Sequence, residues 1–230
     1  MSKIEMMKLT DELLLRRMDE FFGYGRYESD YWFIGMEEGG GNSIEEVEQR
    51  LARWVELGAS ELIDNYNFHK TLDSFKSRNG NVRRASYSEY FEGAIKTQPT
   101  WRKLIRILLN IENPDRVYGN EDIRHYQAFN WGQLNSNNCL LDIFPLPSPD
   151  AEHWEYNEWS EISFLRTRES YKSKLRDKRV ATIRNRITRY APKVVIFYSF
   201  GDEYIRMWEE VSACKFDKKT QVDVHDRFYA

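Results

Sequence analysis

Glu37 and Glu38 follow the apolar run Tyr31-Trp32-Phe33-Ile34 across Gly35-Met36, and three consecutive glycines, Gly39, Gly40 and Gly41, come next. A short aromatic and apolar run that stops at glycine reads as a buried strand, which delivers the two carboxylates to its tip. Burying adjacent glutamates is costly unless they have partners or a chemical task. Three glycines weaken any regular element and let backbone approach a ligand closely. A third carboxylate, Asp142, stands at the end of a second apolar run, Cys139-Leu140-Leu141. Carboxylates so placed can oppose a developing positive charge or orient a water. They could also hold a divalent cation. No further carboxylate clusters at the strand ends, and the histidines (His69, His125, His153, His225) lack metal-ligand spacing, so no metal is expected. No Walker lysine follows the glycines and no G-x-G-x-x-G is present, which excludes two common nucleotide sites.

The elements that must position these acids follow from periodicity. Met6 to Phe22 carries apolar residues at helical spacing, within an N-terminal helical segment over 1–25. Ser43 and Glu46 match a capping box opening a helix to about Leu57, with Gly58 as its stop. Residues 61–76 read as helical, and Arg78 to Ser88 as an exposed basic loop. Pro99-Thr100-Trp101 starts a helix that Asn113-Pro114 closes. Cys139 to Phe144 is a second buried strand, with Pro145, Pro147 and Pro149 forbidding its continuation. A basic helix over roughly 160–190, regular from Thr167 to Tyr190, ends before Pro192. Val194 to Tyr198 is a third strand with Gly201 at its exit and a helix after it, and Val222, Val224 and Phe228 mark a final strand. Short apolar strands separated by helices imply parallel crossovers. The expected class is α/β: a three-layer α/β/α sandwich with a short, mainly parallel central sheet, in one domain spanning 1–230. Ligands of such sheets bind outside the carboxyl ends of the strands, here Gly35-Met36-Glu37, Asp142-Ile143-Phe144 and Ser199-Phe200-Gly201.

Composition bounds the classes. The chain of 230 residues has 41% hydrophobic and 31% charged residues, ordinary for a globular domain. Two cysteines, Cys139 and Cys214, make no disulfide framework, and no signal-peptide or membrane-length apolar run is present, so a cytoplasmic monomer away from membranes is expected. Aromatics reach 15%, more than a core of this size needs, which suggests stacking platforms, among them Trp154 and Trp159 in a polar segment. Net charge is only −3, yet ten Lys or Arg residues lie between Arg166 and Arg189. Such a stripe is the footprint of a polyanion contact or a solvated helix face.

The order and spacing of these motifs resemble the uracil-DNA glycosylase superfamily. Gly35-Met36-Glu37-Glu38-Gly39 is similar to that family's first loop, with Glu37 where an Asp or Asn usually stands and Glu38 replacing a proline. Cys139-Leu140-Leu141-Asp142 is similar to its second strand, with Asp142 in place of the asparagine that reads the flipped base. Pro145-Leu146-Pro147-Ser148-Pro149 resembles its phosphate-pressing loops, Gln98 to Leu104 the helix start between the motifs, and Val194 to Gly201 the third strand. The likeness spans about residues 30–205. The family's histidine-proline-serine loop is missing, with His225-Asp226 its only candidate, and so are the cysteine ligands of its iron-sulfur branches, so no cofactor is expected.

The resemblance implies a DNA glycosylase with Glu37 and Glu38 as the catalytic pair. Gly35, Met36, Asp142, Phe144 and Trp131 would bind the base, Phe144 or Trp131 by stacking. Gly39, Gly40, Gly41, Ser148, Arg83, Arg84, Arg102, Lys172 and Arg176 would meet the DNA backbone, with affinity falling as salt rises. An ionised Asp142 only accepts hydrogen bonds, which suits the amine of cytosine. A modified cytosine of viral DNA is therefore the expected base, in an antiviral setting, and the glycines would leave room for its substituent. No lysine stands at a strand end in the sequence, which argues for a monofunctional enzyme. A non-catalytic nucleic-acid- or nucleotide-binding module on the same scaffold, and a hydrolase of free nucleosides or nucleotides, are the alternatives.

Overall fold

The three apolar runs lie side by side in one sheet. The computed structural model describes residues 8–78, 81–150, 152–199 and 202–216. In chain order the elements are α1 (Asp11–Glu20), β1 (Gly23–Gly25), β2 (Tyr31–Gly39), α2 (Ile44–Glu56), β3 (Leu62–Ile63), α3 (Asn65–His69), β4 (Asp73–Arg78) and β5 (Asn81–Ser86). They continue with α4 (Pro99–Glu112), α5 (Asn120–Phe129), β6 (Asn138–Ser148), α6 (Tyr156–Trp159), α7 (Arg168–Tyr190), β7 (Val194–Phe197) and α8 (Asp202–Ser212). The result is an α/β/α sandwich around a five-stranded sheet of order β3-β1-β6-β2-β7. Parallel pairing joins β6 to β2, β2 to β7 and β1 to β3, while β1 meets β6 antiparallel.

This order creates the site's location. The chain leaves β2 for β6 on one side and later returns to β7 on the other, so the strand order reverses at the carboxyl end of β2. In sheets of this topology ligands bind at the carboxyl end of such a strand. Register sets which residues are neighbours near it: Gly35 pairs with Asp142 and Glu37 with Phe144, on adjacent parallel strands. A single hydrophobic cluster surrounds the sheet, with Trp32, Phe33, Trp54, Trp131 and Tyr171 fully buried.

Several elements differ from expectation. The first helix begins at Asp11, because Thr10 caps it by accepting the Leu13 N–H; Met6 lies outside the described residues. Segment 61–76 is not one helix but β3, α3 and the start of β4. The basic loop after Arg78 is a hairpin in which Arg78 pairs with Asn81 across Asn79 and Gly80, which lie outside the described residues. The second strand runs on through Pro145 and Pro147 to Ser148. The capping box is only half made: the Ser43 hydroxyl accepts the Glu46 N–H at 3.3 Å, but the Glu46 carboxylate turns to Arg50 instead. Phe200, Gly201, Val222, Val224, His225, Asp226 and Phe228 lie outside the described residues.

Candidate active site

Glu37 and Glu38 leave the tip of β2 in different company. The Glu37 Oε1 atom accepts from the Arg168 guanidinium at 2.5 Å and lies 3.9 Å from the Lys172 ammonium, while its Oε2 is buried without a partner among the described residues. Arg168 stands in the first turn of α7 and also donates to the Asp150 carbonyl, tying β2 to the loop after β6. Burial pushes the Glu37 carboxyl up, and Arg168 and Lys172 offset only part of that rise.

Glu38 is held as an anion. Its Oε1 accepts from the Tyr24 hydroxyl at 2.6 Å and lies 3.0 Å from His69 Nε2, while its Oε2 lies 2.9 Å from Arg50. His69 is fixed in turn by Nδ1, 3.1 Å from the Asn65 carbonyl. Burial raises the Glu38 carboxyl, but Arg50, His69 and Tyr24 outweigh it and hold the group well below the usual carboxylate range. Arg50 comes from the middle of α2 and also bridges Glu46, the Tyr87 hydroxyl and the Gly39 carbonyl. Glu38 therefore reads as an electrostatic anchor of the loop rather than a free catalytic group.

Asp142 is the opposite case. It is 8% exposed, and its side chain makes no hydrogen bond or ion pair among the described residues. Burial raises its carboxyl to about 8, with Glu38 and Glu37 adding to the rise and Arg179 opposing it. At neutral pH the group is a neutral acid, so the expectation of an acceptor-only carboxylate is corrected. A protonated carboxyl offers one donor and one acceptor, as an amide does.

Tyr198 is a residue that the sequence reading missed. A Cβ built at Gly35 would lie 2.5 Å from both Cζ and Oη of Tyr198, so the ring rests directly on the glycine backbone, beside Asp142 in the strand register. Burial, then Asp142 and Glu38, hold its phenol well above its ordinary value. An isolated glycine inside an apolar strand signals such close approach, and Gly35 carried that signal. Replacing Gly35 with alanine should push the ring away and destabilise the protein by about 1–3 kcal/mol. Denaturant titration checks this, and the cost should vanish in a Tyr198→Ala background; an equal cost there would disprove the contact as its source.

Other predicted residues are placed elsewhere. Met36 is buried in the core on β2. Trp131 is fully buried against Phe33 at 4.8 Å between ring centroids, and Phe144 is buried against Tyr171 at 5.7 Å, so both are core residues rather than exposed stacking platforms. Trp154 and Trp159 pack on the core as well, and the Trp154 indole donates to the Leu165 carbonyl at 2.7 Å. Of the three glycines, Gly40 is crowded by Arg50 and Glu46 and Gly41 by the Pro147 carbonyl, and Gly39 alone faces open space. Ser148 is buried, and its hydroxyl donates to the carbonyls of Asp150 and His153, not to an incoming phosphate.

The basic stripe is largely neutralised from within. Arg166 pairs with Glu161, Arg168 and Lys172 with Glu37, Arg176 with Glu210 at 2.7 Å, Lys178 with Asp19 and Arg186 with Glu61. Arg179 is buried and donates to the carbonyls of Phe21, Asp142 and Ile143, and Arg184 donates to that of Glu210. Among the described residues only Lys174 and Arg189 of the ten lack a carboxylate or carbonyl partner. Most of this helix is thus mortar between α7 and its neighbours, which corrects the assignment of Arg176 to a DNA backbone. Arg102 is exposed on α4; Arg83 and Arg84 stand in β5, and their side chains are outside the described residues.

A shallow groove of about 300 Å³ lined by Gly93, Ile95, Glu121, Arg124, His125 and Phe129 contains none of the predicted site residues. Among the described residues no group of three or more His, Cys, Asp or Glu could hold a metal ion, and no helix is long and apolar enough to cross a membrane. Compared with known proteins, the chain matches no family model, no curated protein and no solved structure.

Proposed function

We propose that the chain is a DNA glycosylase that takes a flipped pyrimidine, cytosine-derived, into a site at the carboxyl ends of β2, β6 and β7 and hydrolyses its N-glycosidic bond. The observation that carries this reading is Asp142, a neutral carboxylic acid without a partner among the described residues, buried on β6 opposite Gly35 and within electrostatic reach of Glu38 and Glu37. Burying an unpaired acid destabilises a fold, and such groups concentrate where chemistry needs them.

The roles follow from protonation. Glu37, in its carboxylate form beside Arg168, opposes the positive charge that forms on the sugar as the bond to the base breaks, and orients the attacking water. Asp142 donates its proton to the base and accepts in return. Cytosine presents a basic ring nitrogen next to an amine on its Watson–Crick edge, so a neutral acid meets both atoms at once, and proton transfer to that nitrogen neutralises the leaving base. Uracil lacks an equally basic atom there. The open space at Gly39 leaves room for a substituent on the base. A modified cytosine of viral DNA is the substrate class that fits, because an enzyme removing ordinary cytosine would attack its own host.

The test is mass spectrometry of bases freed from natural and virally modified DNA by the purified protein. Release of a cytosine derivative is the expected result. Release of uracil alone removes the role given to Asp142. Gel retardation without release identifies a non-catalytic DNA-binding module, a reading that the ion pairs of Glu37 and Glu38 would then explain.

A further inference from the structure

We propose that Lys172 gives the same site a second activity, strand cleavage by β-elimination at the abasic position left after base removal. The inference rests on the glycosylase reading above and extends it. In the sequence Lys172 is one of ten cations on a helix, and nothing marks it as belonging to a strand end. The fold draws it there. It lies one turn beyond Arg168 on α7, with its ammonium 3.9 Å from Glu37 Oε1, 5.6 Å from the Phe144 ring centroid and 5.8 Å from that of Tyr204. Its side chain is 26% exposed, unlike the buried Arg168 one turn before it. The other lysines of α7 are placed differently: Lys178 pairs with Asp19, and Lys174 is exposed.

An amine beside a carboxylate is the pair that imine chemistry needs. Loss of the base leaves a sugar in equilibrium with its open-chain aldehyde. Glu37 takes the ammonium proton, and the free amine of Lys172 forms a bond to the C1′ carbonyl carbon. Glu37 returns that proton to the resulting hydroxyl, which leaves as water, and a protonated imine remains. The imine withdraws electrons from the C2′–H bond, and the Glu37 carboxylate removes that proton. The released pair forms the C2′–C3′ double bond, the C3′–O bond breaks, and the phosphate departs with its electrons as the 5′ end of the downstream strand. Water then hydrolyses the protonated imine, freeing Lys172 as its ammonium and leaving an unsaturated aldehyde on the upstream strand, and Glu37 gives the C2′ proton up to solvent. One water leaves and one enters, and no oxidant or reductant is required. Burial raises the Glu37 carboxyl, which favours its taking the first proton.

The experiment uses duplex DNA in which an abasic site has been prepared beforehand, so that base recognition is bypassed. The full chain is incubated with it in the presence of sodium borohydride, which reduces an imine to a stable amine. A covalent protein–DNA adduct is expected on a denaturing gel, mapping by peptide mass to Lys172, with strand cleavage when borohydride is omitted. Both should fall to the no-protein background in Lys172→Arg, which keeps a cation beside Glu37 and so preserves the ion pair, and in Lys172→Ala. No adduct with the unaltered protein, an adduct mapped to another amine, or one that survives Lys172→Arg would each overturn the proposal. Base release from intact DNA, measured in parallel, separates the two readings. Release without adduct removes only the lyase activity, adduct without release leaves a lyase and removes the excision reading, and the absence of both removes both.

Discussion

Replacing Glu37 with glutamine is expected to lower base release by about 10²–10⁴-fold, the usual contribution of a positioned proton-transfer or charge-stabilising group. Binding of the same DNA should change little. Glutamine keeps the size of the side chain and can still accept from Arg168, which sits 2.5 Å away, so the loop need not move. What it cannot do is oppose the positive charge on the sugar. The pH profile carries the same signature. Burial raises the Glu37 carboxyl, so as pH falls through that raised value the anion is lost and the rate should fall on the acid side. Asp142 must keep its proton, so the rate should also fall as pH rises through about 8. A bell-shaped profile for the unaltered protein is the expected outcome, its limbs belonging to the interacting acids together. Single-turnover rates and a binding titration decide the matter. An unchanged rate, or a loss of affinity matching the loss of rate, rules out the assignment.

Much of this scaffold is legible in the chain because the signals are local. The run Tyr31 to Ile34 locates the first half of β2, which continues through Gly35 to Gly39, Gln98 caps α4 through its own side chain, and Thr167 does the same for α7. What local signals miss is decided elsewhere in the fold. β1 has three residues, two of them glycines, and no periodicity; a Cβ at Gly23 would sit 1.9 Å from the Leu140 carbonyl oxygen, so the strand is set by its pairing with β6 and β3 rather than by a local signal. Pro145 and Pro147 are tolerated in β6 because β1 pairs only with residues 139–141, leaving the later part an edge on that side. The intervening Leu146 N–H is satisfied by the Tyr171 hydroxyl at 3.0 Å.

The acids show the same division. That Glu37 and Glu38 stand near the end of β2 follows from the apolar run before them, whereas Asp142, expected at a strand end, lies in the middle of β6 because that strand continues to Ser148. Their partners do not: Arg168 is 131 residues from Glu37, and His69 is 31 from Glu38. Those pairings separate Glu38, held as an anion, from Glu37, which Arg168 holds by one oxygen while burial raises its carboxyl, and from a neutral acid, Asp142. They also pair most of a basic stripe that reads as a polyanion surface with carboxylates of the same chain, largely at the surface. Sequence spacing places charge along a helix, but only packing decides which charges remain for a ligand.

Replacing Asp142 with asparagine should stabilise the protein, and by an amount that grows with pH. In the unfolded chain an aspartate ionises near pH 4. In the folded protein burial and the neighbouring Glu38 and Glu37 hold the proton up to about pH 8. Between those values the unfolded chain has released its proton and the folded one has not, so each rise in pH favours unfolding. The contribution of Asp142 to stability is thus fully present below about pH 4, declines through the window, and levels off above about pH 8. Asparagine does not titrate, so the variant lacks this decline. The gap should reach on the order of 5 kcal/mol at the alkaline end, about 1.4 kcal/mol for each unit separating the two values. Glu38 acts in the opposite sense and in a different range: its depressed carboxyl contributes stability that is lost only as pH falls below the usual carboxylate value, so it cannot mimic the effect. Urea titrations of both proteins from pH 4 to pH 9 check the claim, and parallel curves would sink it. The same variant keeps one donor and one acceptor for the base but has no acidic proton to give. Its base release should therefore be low and without the alkaline limb, while its fold is the firmer of the two. A site that is stabilised by removing the group on which its chemistry depends has kept that group for function rather than for structure.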